Sequence, residues 1–315
     1  MILVDDQPGA AAMREDEDEL VETPEVMRRR LRLALRNARE AAGLTQRQAA
    51  DELEFSVSKM IRIEQGAVRL TAVDLRALLN LYGVTDEDRV AELLNLARGS
   101  RRQQLWERYR EVYSPEALSL FAHEPAAKKI ESFEASLVPG LLQTPEYARA
   151  LLESLGYSKS TVDIMVEVRV QRQRMLGRRI RPELHFILGE TAVSRQVGDR
   201  QIMKRQLEQI KELGARQGIR IQIMPFTVGA HPHMGGAFTI LEFDDLDDVL
   251  YQEDAHGERT VQEKPEVLSQ FYEIFSKLEE LALEPSDLAD ALDKIKAMRF
   301  EDTSDPLAAR STTDI

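Results

Sequence analysis

The 315-residue sequence predicts two structural classes in one chain: a mainly α N-terminal part of five helices, a helical connector, and a C-terminal α/β part with a small mixed sheet. Three observations carry this. The stretch Leu44–Gly66, LTQRQAADELEFSVSKMIRIEQG, has the caps of two short helices joined by a tight turn. Beyond Arg181 the apolar period changes from helical spacing to strand-like runs, in Leu184–Leu188 and Ile219–Met224. Charge is also segregated, because residues 26–102 hold fifteen Lys or Arg against ten Asp or Glu in a chain whose net charge is −13. We divide the chain into a disordered acidic tail (1–25), a five-helix domain (26–98), a helical connector (99–180), an α/β regulatory or interaction domain (181–300) and a polar tail (301–315).

Composition limits the function classes. A hydrophobic content of 43% supports full cores. The sequence lacks a run of about 18 uncharged apolar residues, and its N-terminus lacks a basic segment followed by an apolar one, so neither a membrane span nor a signal peptide is expected. Cysteine is absent, which excludes disulfides, thiolate nucleophiles and Cys-based metal sites and fits a cytoplasmic location. The acidic total hides a local excess of positive charge: residues 1–25 carry −8, residues 26–102 carry +5, and the remainder −10. Nucleic acid responds to that local potential, so a basic module on an acidic body is compatible with phosphate contact.

The elements follow in order. Val26–Ala42 is a helix with Leu31, Leu35 and Ala38 on one side and arginines elsewhere, stopped by Gly43. Thr45 and Gln48 form a capping box for a helix whose apolar face is Ala49, Ala50 and Leu53. Ser56 caps Val57–Glu64, which buries Met60 and Ile63. Thr71 opens a helix to Leu81, and Thr85 opens another to about Arg98. Gly99–Arg102 is a candidate hinge, and Trp106 is read as a packing anchor between domains. Ser114–Ala135 is helix-like, Thr144-Pro145 starts a further helix, and Ser160 starts a basic one to about Arg178. The arginines 169, 172, 174, 178 and 179 of that helix are read as a solvated or interdomain face. A strand–helix–strand unit spans Leu184–Met224, strands Ala237–Phe243 and Val249–Gln252 flank the acidic turn Asp244–Asp248, and helices Glu266–Leu283 and Pro285–Met298 close the chain.

Leu44-Thr45-Gln46, Ala50, Leu53 and Ile63-Glu64-Gln65-Gly66 give the two-helix stretch its family resemblance. It resembles the helix-turn-helix of Cro/cI-like regulators of the xenobiotic-response-element type, with one departure: Glu54 stands where that pattern usually has Gly. A second resemblance covers about residues 28–285. Val138–Ala150, Arg169 with Arg172-Gln173, Gly189-Glu190, Met224-Pro225-Phe226, Gly229-Ala230-His231 and Tyr251 with Glu253 resemble the large C-terminal domain of actinobacterial antitoxin-like, WhiJ-like transcriptional regulators. The resemblance implies a DNA-binding regulator, often encoded beside a small partner protein, and implies neither a toxin nor a reaction.

From these readings the expected function is sequence-specific regulation of transcription through Val57–Glu64, by a homodimer on double-stranded DNA with a palindromic operator. Val57, Ser58 and Arg62 are expected to face bases, and Gln46, Arg47 and Lys59 phosphates. The alternative is an antitoxin-like protein that neutralises a small neighbouring protein and regulates its own operon. His231, His233, Tyr251 and Glu253 mark a possible ligand or partner region. His231 and His233, with Asp254 and His256, can be written as zinc ligands, but a Gly- and Pro-rich connector explains the segment as well, and no metal or cofactor is expected. Pairs such as His185 with Glu190 do not form a catalytic constellation, so no enzymatic activity is expected.

Overall fold

The computed structural model describes residues 22–101, 106–254, 257–262 and 264–301. The acidic run Glu15–Glu19, the end of the candidate hinge at Arg102, His256 and the tail beyond Glu301 lie outside them.

The N-terminal module has five helices, each begun by a short polar cap. Helix α1 (Pro24–Ala41) starts inside the expected acidic tail, because Thr23 accepts from the Val26 amide and Pro24 supplies a preset first turn. Helix α2 (Gln46–Glu52) has the expected capping box: the Thr45 hydroxyl accepts from the Gln48 amide at 3.2 Å, and Gln48 Oε1 accepts from the Thr45 amide at 2.9 Å. Ser56 caps α3 (Val57–Glu64) and Thr71 caps α4 (Ala72–Leu81). Helix α5 (Glu87–Gly99) is capped by Asp86 rather than Thr85, with the carboxylate accepting from the Arg89 amide at 2.7 Å. An acid at this place also favours the positive end of the helix dipole.

The module closes on Leu35, Ala49, Ala50, Met60, Ile63, Leu75, Leu78 and Leu93, all buried. Ala49 and Ala50 have no bulk to hold the backbones apart, so α3 seats directly on α2. A buried ion pair fixes the angle. Arg39 donates twice to Glu64, at 2.5 and 3.0 Å, and its third nitrogen donates to the Leu44 carbonyl at 2.7 Å. Gln46 donates to the same carboxylate at 2.8 Å, so α1, the first turn of α2 and the end of α3 meet at one anion. Glu54, in the turn between α2 and α3, has φ +54°, where the resembled pattern has glycine.

The C-terminal body contains α6 (Pro115–His123), β1 (Lys129–Glu134), α7 (Pro145–Ser154), α8 (Lys159–Gln173), β2 (Glu183–Gly189), α9 (Glu190–Ser194), α10 (Arg200–Gly214), β3 (Ile219–Met224), β4 (Gly236–Glu242), β5 (Val249–Asp254), β6 (Gly257–Val261), α11 (Pro265–Leu281) and α12 (Leu288–Phe300). Among the described residues six strands form one mixed sheet in the order β3-β2-β1-β4-β5-β6. The pairs β1/β2 and β2/β3 are parallel, and the rest are antiparallel. The expected α/β class with a small mixed sheet is therefore present, together with the strand–helix–strand unit β2-α10-β3.

The helix-like reading of Ser114–Ala135 is corrected. Helix α6 stops at His123 because Pro125 cannot continue it, and Lys129–Glu134 is a central strand paired on both sides. Alternation sends Ile130, Phe186 and Ile221 into a core with α10 and α12, and Phe133, Ile187, Phe238 and Leu250 into a second core with α11. Gly189, at the end of β2, is required by close approach, since a Cβ there would lie 2.5 Å from the Ala135 carbonyl oxygen.

The two parts are joined through α1. Val26 is fully buried in the core of the C-terminal body, which also takes Trp106, and Thr23 donates to the Ala122 carbonyl at 2.7 Å. Arg30 reaches both carboxylate oxygens of Asp245 at 3.0 Å, and Arg29 donates to the Asp247 carbonyl while lying 5.5 Å from the Phe243 ring centroid. The acidic turn Asp244–Asp248 thus receives the base of α1.

Two outcomes follow for stability. Glu64→Ala leaves Arg39 buried without its carboxylate, and guanidinium unfolding followed by circular dichroism is expected to show a loss of about 3 kcal/mol. Glu54→Gly removes the positive-φ cost and is expected to raise the thermal midpoint, with a gain of up to about 1 kcal/mol after the entropy of the added glycine.

Candidate nucleic-acid interface and a cavity in the C-terminal body

Helix α3 turns Met60 and Ile63 inward, which leaves Val57, Ser58 and Arg62 on the opposite side. Ser58 and Arg62 stand one turn apart, and Arg62 Nε donates to the Ser58 carbonyl at 3.3 Å, aligning the guanidinium along the helix. Val57 is 38% exposed, a large apolar side chain at the start of the helix. An outward face that combines a methyl-bearing residue, a hydroxyl and a planar five-donor cation is chemically suited to base edges in a major groove.

The other three expected contacts are placed differently from one another. Arg47 is exposed in the first turn of α2. Gln46 has its amide on Glu64, and Lys59 Nζ lies 3.3 Å over the Phe55 ring centroid and 3.3 Å from Asp74 Oδ1. These two side chains therefore hold the module together as they stand. Arg69, exposed in the loop after α3, was not among the sequence candidates. Its signal is a cation three residues beyond the Gly66 that ends the pattern.

The quartet His231, His233, Tyr251 and Glu253 is divided by the sheet. His231 and His233 pack edge-on against Phe133, at centroid distances of 5.4 and 6.1 Å, and His233 also meets Phe238 and Phe271. Burial lowers the proton affinity of both rings. Among the described residues no group of three His, Cys, Asp or Glu is close enough to hold a metal ion.

Tyr251 and Glu253 lie on the other face, in the wall of a cavity of about 880 Å³. Glu134, which ends β1, joins them, and the Met234-Gly235-Gly236 segment forms one lip. Burial pushes Glu134 up to about 8, with the charge of Glu253 adding to the effect. Glu253 is raised by burial and then by Glu258, while Arg169 opposes the rise. Burial, then Glu258 and Glu253, also raise Tyr251.

The motif residues around this cavity build its wall. Arg169 donates to Gln143 at 2.8 Å and to the Tyr113 hydroxyl at 3.1 Å, and Gln173 donates to the carbonyls of Gly140 and Gln143 at 2.9 and 2.7 Å. Gln206, fully buried, accepts from the Thr144 amide and donates to the Leu142 carbonyl. Arg172 lies 3.9 Å over Phe121 and binds Glu124 through two nitrogens, at 2.6 and 2.9 Å. The reading of Arg169 and Arg172 as a solvated face is thereby corrected: both turn inward, Arg169 onto Gln143 of the loop Val138–Thr144 and Arg172 onto Glu124. Among the described residues no helix is long and apolar enough to cross a membrane.

Two family models match the chain. A model described as a helix-turn-helix domain matches residues 30–93, and a model described as a domain of unknown function (DUF5753) matches residues 118–294. No curated protein and no solved structure matches the chain. The first match makes the N-terminal module one of the DNA-binding regulator kind. The second spans more than half of the sequence, and the chain belongs to the family that carries this DUF5753 domain.

Proposed function

We propose that the chain is a sequence-specific transcriptional regulator of the Cro/cI-like kind, with a C-terminal domain of the WhiJ-like, antitoxin-like regulator type. The observation that carries this reading is the outward face of α3, where Val57, Ser58 and Arg62 stand clear of the core on a helix fixed by the Arg39–Glu64 pair. Arg62 is the base-reading residue, able to give two parallel hydrogen bonds to a guanine. Arg47 is a phosphate contact at the opening of α2. Gln46 and Lys59 act at the DNA by exchanging their present partners, Glu64 and Asp74, for phosphate oxygens. The regulator works as a homodimer in the cytoplasm, with two α3 helices about 34 Å apart on a palindromic operator. The C-terminal body supplies dimerisation and binds a partner or effector.

A gel-shift series on the DNA upstream of the gene, with salt varied, tests the reading. Affinity is expected to fall steeply with salt. Arg62→Ala is expected to cost about 1–3 kcal/mol at one base pair per half-site and to relax selectivity there, whereas Arg47→Ala weakens all sequences alike. If neither substitution alters binding to any fragment, α3 is not the reading element.

A further inference from the structure

The cavity in the C-terminal body has an acidic floor whose charge the fold balances only in part. Strand register places Ala237 opposite Glu253 and Glu253 opposite Glu258, while Glu134 follows the last paired residue of β1 beside β4. Glu134, Glu253 and Glu258 thus form a row across one end of the sheet. The next row is Ser132, Thr239, Tyr251 and Thr260, four hydroxyls in register. Ser132 and Thr239 share a hydrogen bond of 3.0 Å, and the buried Thr260 hydroxyl has no partner among the described residues. Like charges facing each other across paired strands destabilise a sheet, and a half-buried carboxylate without a cation is costly.

Of the two cations near this row one is committed elsewhere: Arg172 is neutralised by Glu124. Arg169 gives its hydrogen bonds to the uncharged Gln143, Tyr113 and Met165 carbonyl, so its single charge faces three carboxyl groups of the row and acts on Glu253. Six carboxylates line the cavity against these two guanidiniums. Glu258 accepts from the hydroxyls of Ser114 and Tyr251, while Glu134 and Glu253 make no hydrogen bond or ion pair among the described residues. Apolar side chains make up another part of the lining, among them Leu137, Leu151, Leu155, Met165 and Met234. A volume of about 880 Å³ is that of a site for a small organic molecule and far exceeds the need of a bare ion.

We propose that this cavity binds a small organic cation, an amine carried on an apolar body, with the ammonium seated on the Glu134–Glu253–Glu258 row and the body against the leucine and methionine wall. The ammonium removes the repulsion within the row, and the Ser132–Thr239–Tyr251 hydroxyls give further acceptors beneath it. The assignment does not rest on the DNA reading, because the site belongs wholly to the C-terminal body. A physical link to the N-terminal module exists all the same: α6, which lines the cavity through Ala117, Leu120 and Phe121, also carries the Ala122 carbonyl that holds the cap of α1.

Calorimetric titration of the full chain tests it directly, with 4-phenylbutylammonium as probe and 4-phenylbutanol and 4-phenylbutyrate as matched neutral and anionic controls. The ammonium is expected to bind saturably, the alcohol at least tenfold more weakly, and the carboxylate not at all. The double variant Glu134→Gln, Glu253→Gln keeps the shape and removes two of the carboxyl groups that can face the ammonium as anions. It is expected to melt no lower than the parent, which verifies its fold, and to bind the ammonium at least tenfold more weakly. Equal binding of all three probes, undiminished binding by the folded variant, or no saturable heat from the ammonium up to millimolar concentration each overturns the proposal. DNA binding is not read in this experiment, so its failure leaves the regulator reading standing, and a failed gel shift leaves this one standing.

Discussion

The buried pair between Arg39 and Glu64 is the constraint on which the rest of the N-terminal module depends. Removing two charges from water costs several kcal/mol per ion, and attraction offsets that only where the geometry is good and the remaining groups are satisfied. Here the guanidinium spends three nitrogens on Glu64 and the Leu44 carbonyl, and the carboxylate also accepts from Gln46. An apolar cluster of equal volume would fill the space but tolerate sliding, because dispersion has little direction. The ion pair has direction. It sets α3 at one angle to α1 and α2, and so determines which side chains of α3 stand outward. The C-terminal body uses the same device, where Arg172 on α8 binds Glu124 over the Phe121 ring and fixes the wall of the cavity.

Helix α1 belongs to both parts of the molecule. Its middle and end carry Leu31, Leu35 and Arg39 into the helical module, and its first turns carry Val26, Arg29 and Arg30 onto the C-terminal body. The orientation of α3 is therefore tied to the α6 and Asp244–Asp248 region through one rigid element. Exposed ion pairs such as Arg30–Asp245 contribute little alone, and Val26 together with the Thr23–Ala122 hydrogen bond holds most of the joint.

The helical module was legible in the sequence because its signals are local. Thr45 with Gln48, Ser56 and Thr71 announce helix starts within three residues, and the spacing of Met60 and Ile63 gives the buried side of α3. Strands β2, β3, β4 and β5 were legible from their apolar alternation and length. Strand β1 was not, since Lys129, Glu131 and Glu134 break the pattern and its position between β2 and β4 is a long-range fact. The polar edge strand β6 gave no apolar signal for the same reason. At the site level, the exposure of Val57, Ser58 and Arg62 followed from helical periodicity. The inward partners of Gln46 and Lys59 did not, because they come from residues 18 and 15 positions away. The cavity was half legible: Tyr251 and Glu253 were singled out, but Glu134 and Arg169 reach it only through the register of β1 and the docking of α8, and the two histidines lie across the sheet from it.

In the proposed mode of binding, α3 reads DNA from the major groove. Methylation interference on a bound upstream fragment tests it most directly, because guanine N7 lies in that groove and adenine N3 in the minor one. N7 methylation of guanines at symmetric positions about one helical turn apart is expected to abolish binding. Interference confined to adenine N3, or binding indifferent to methylation at any purine, would contradict it.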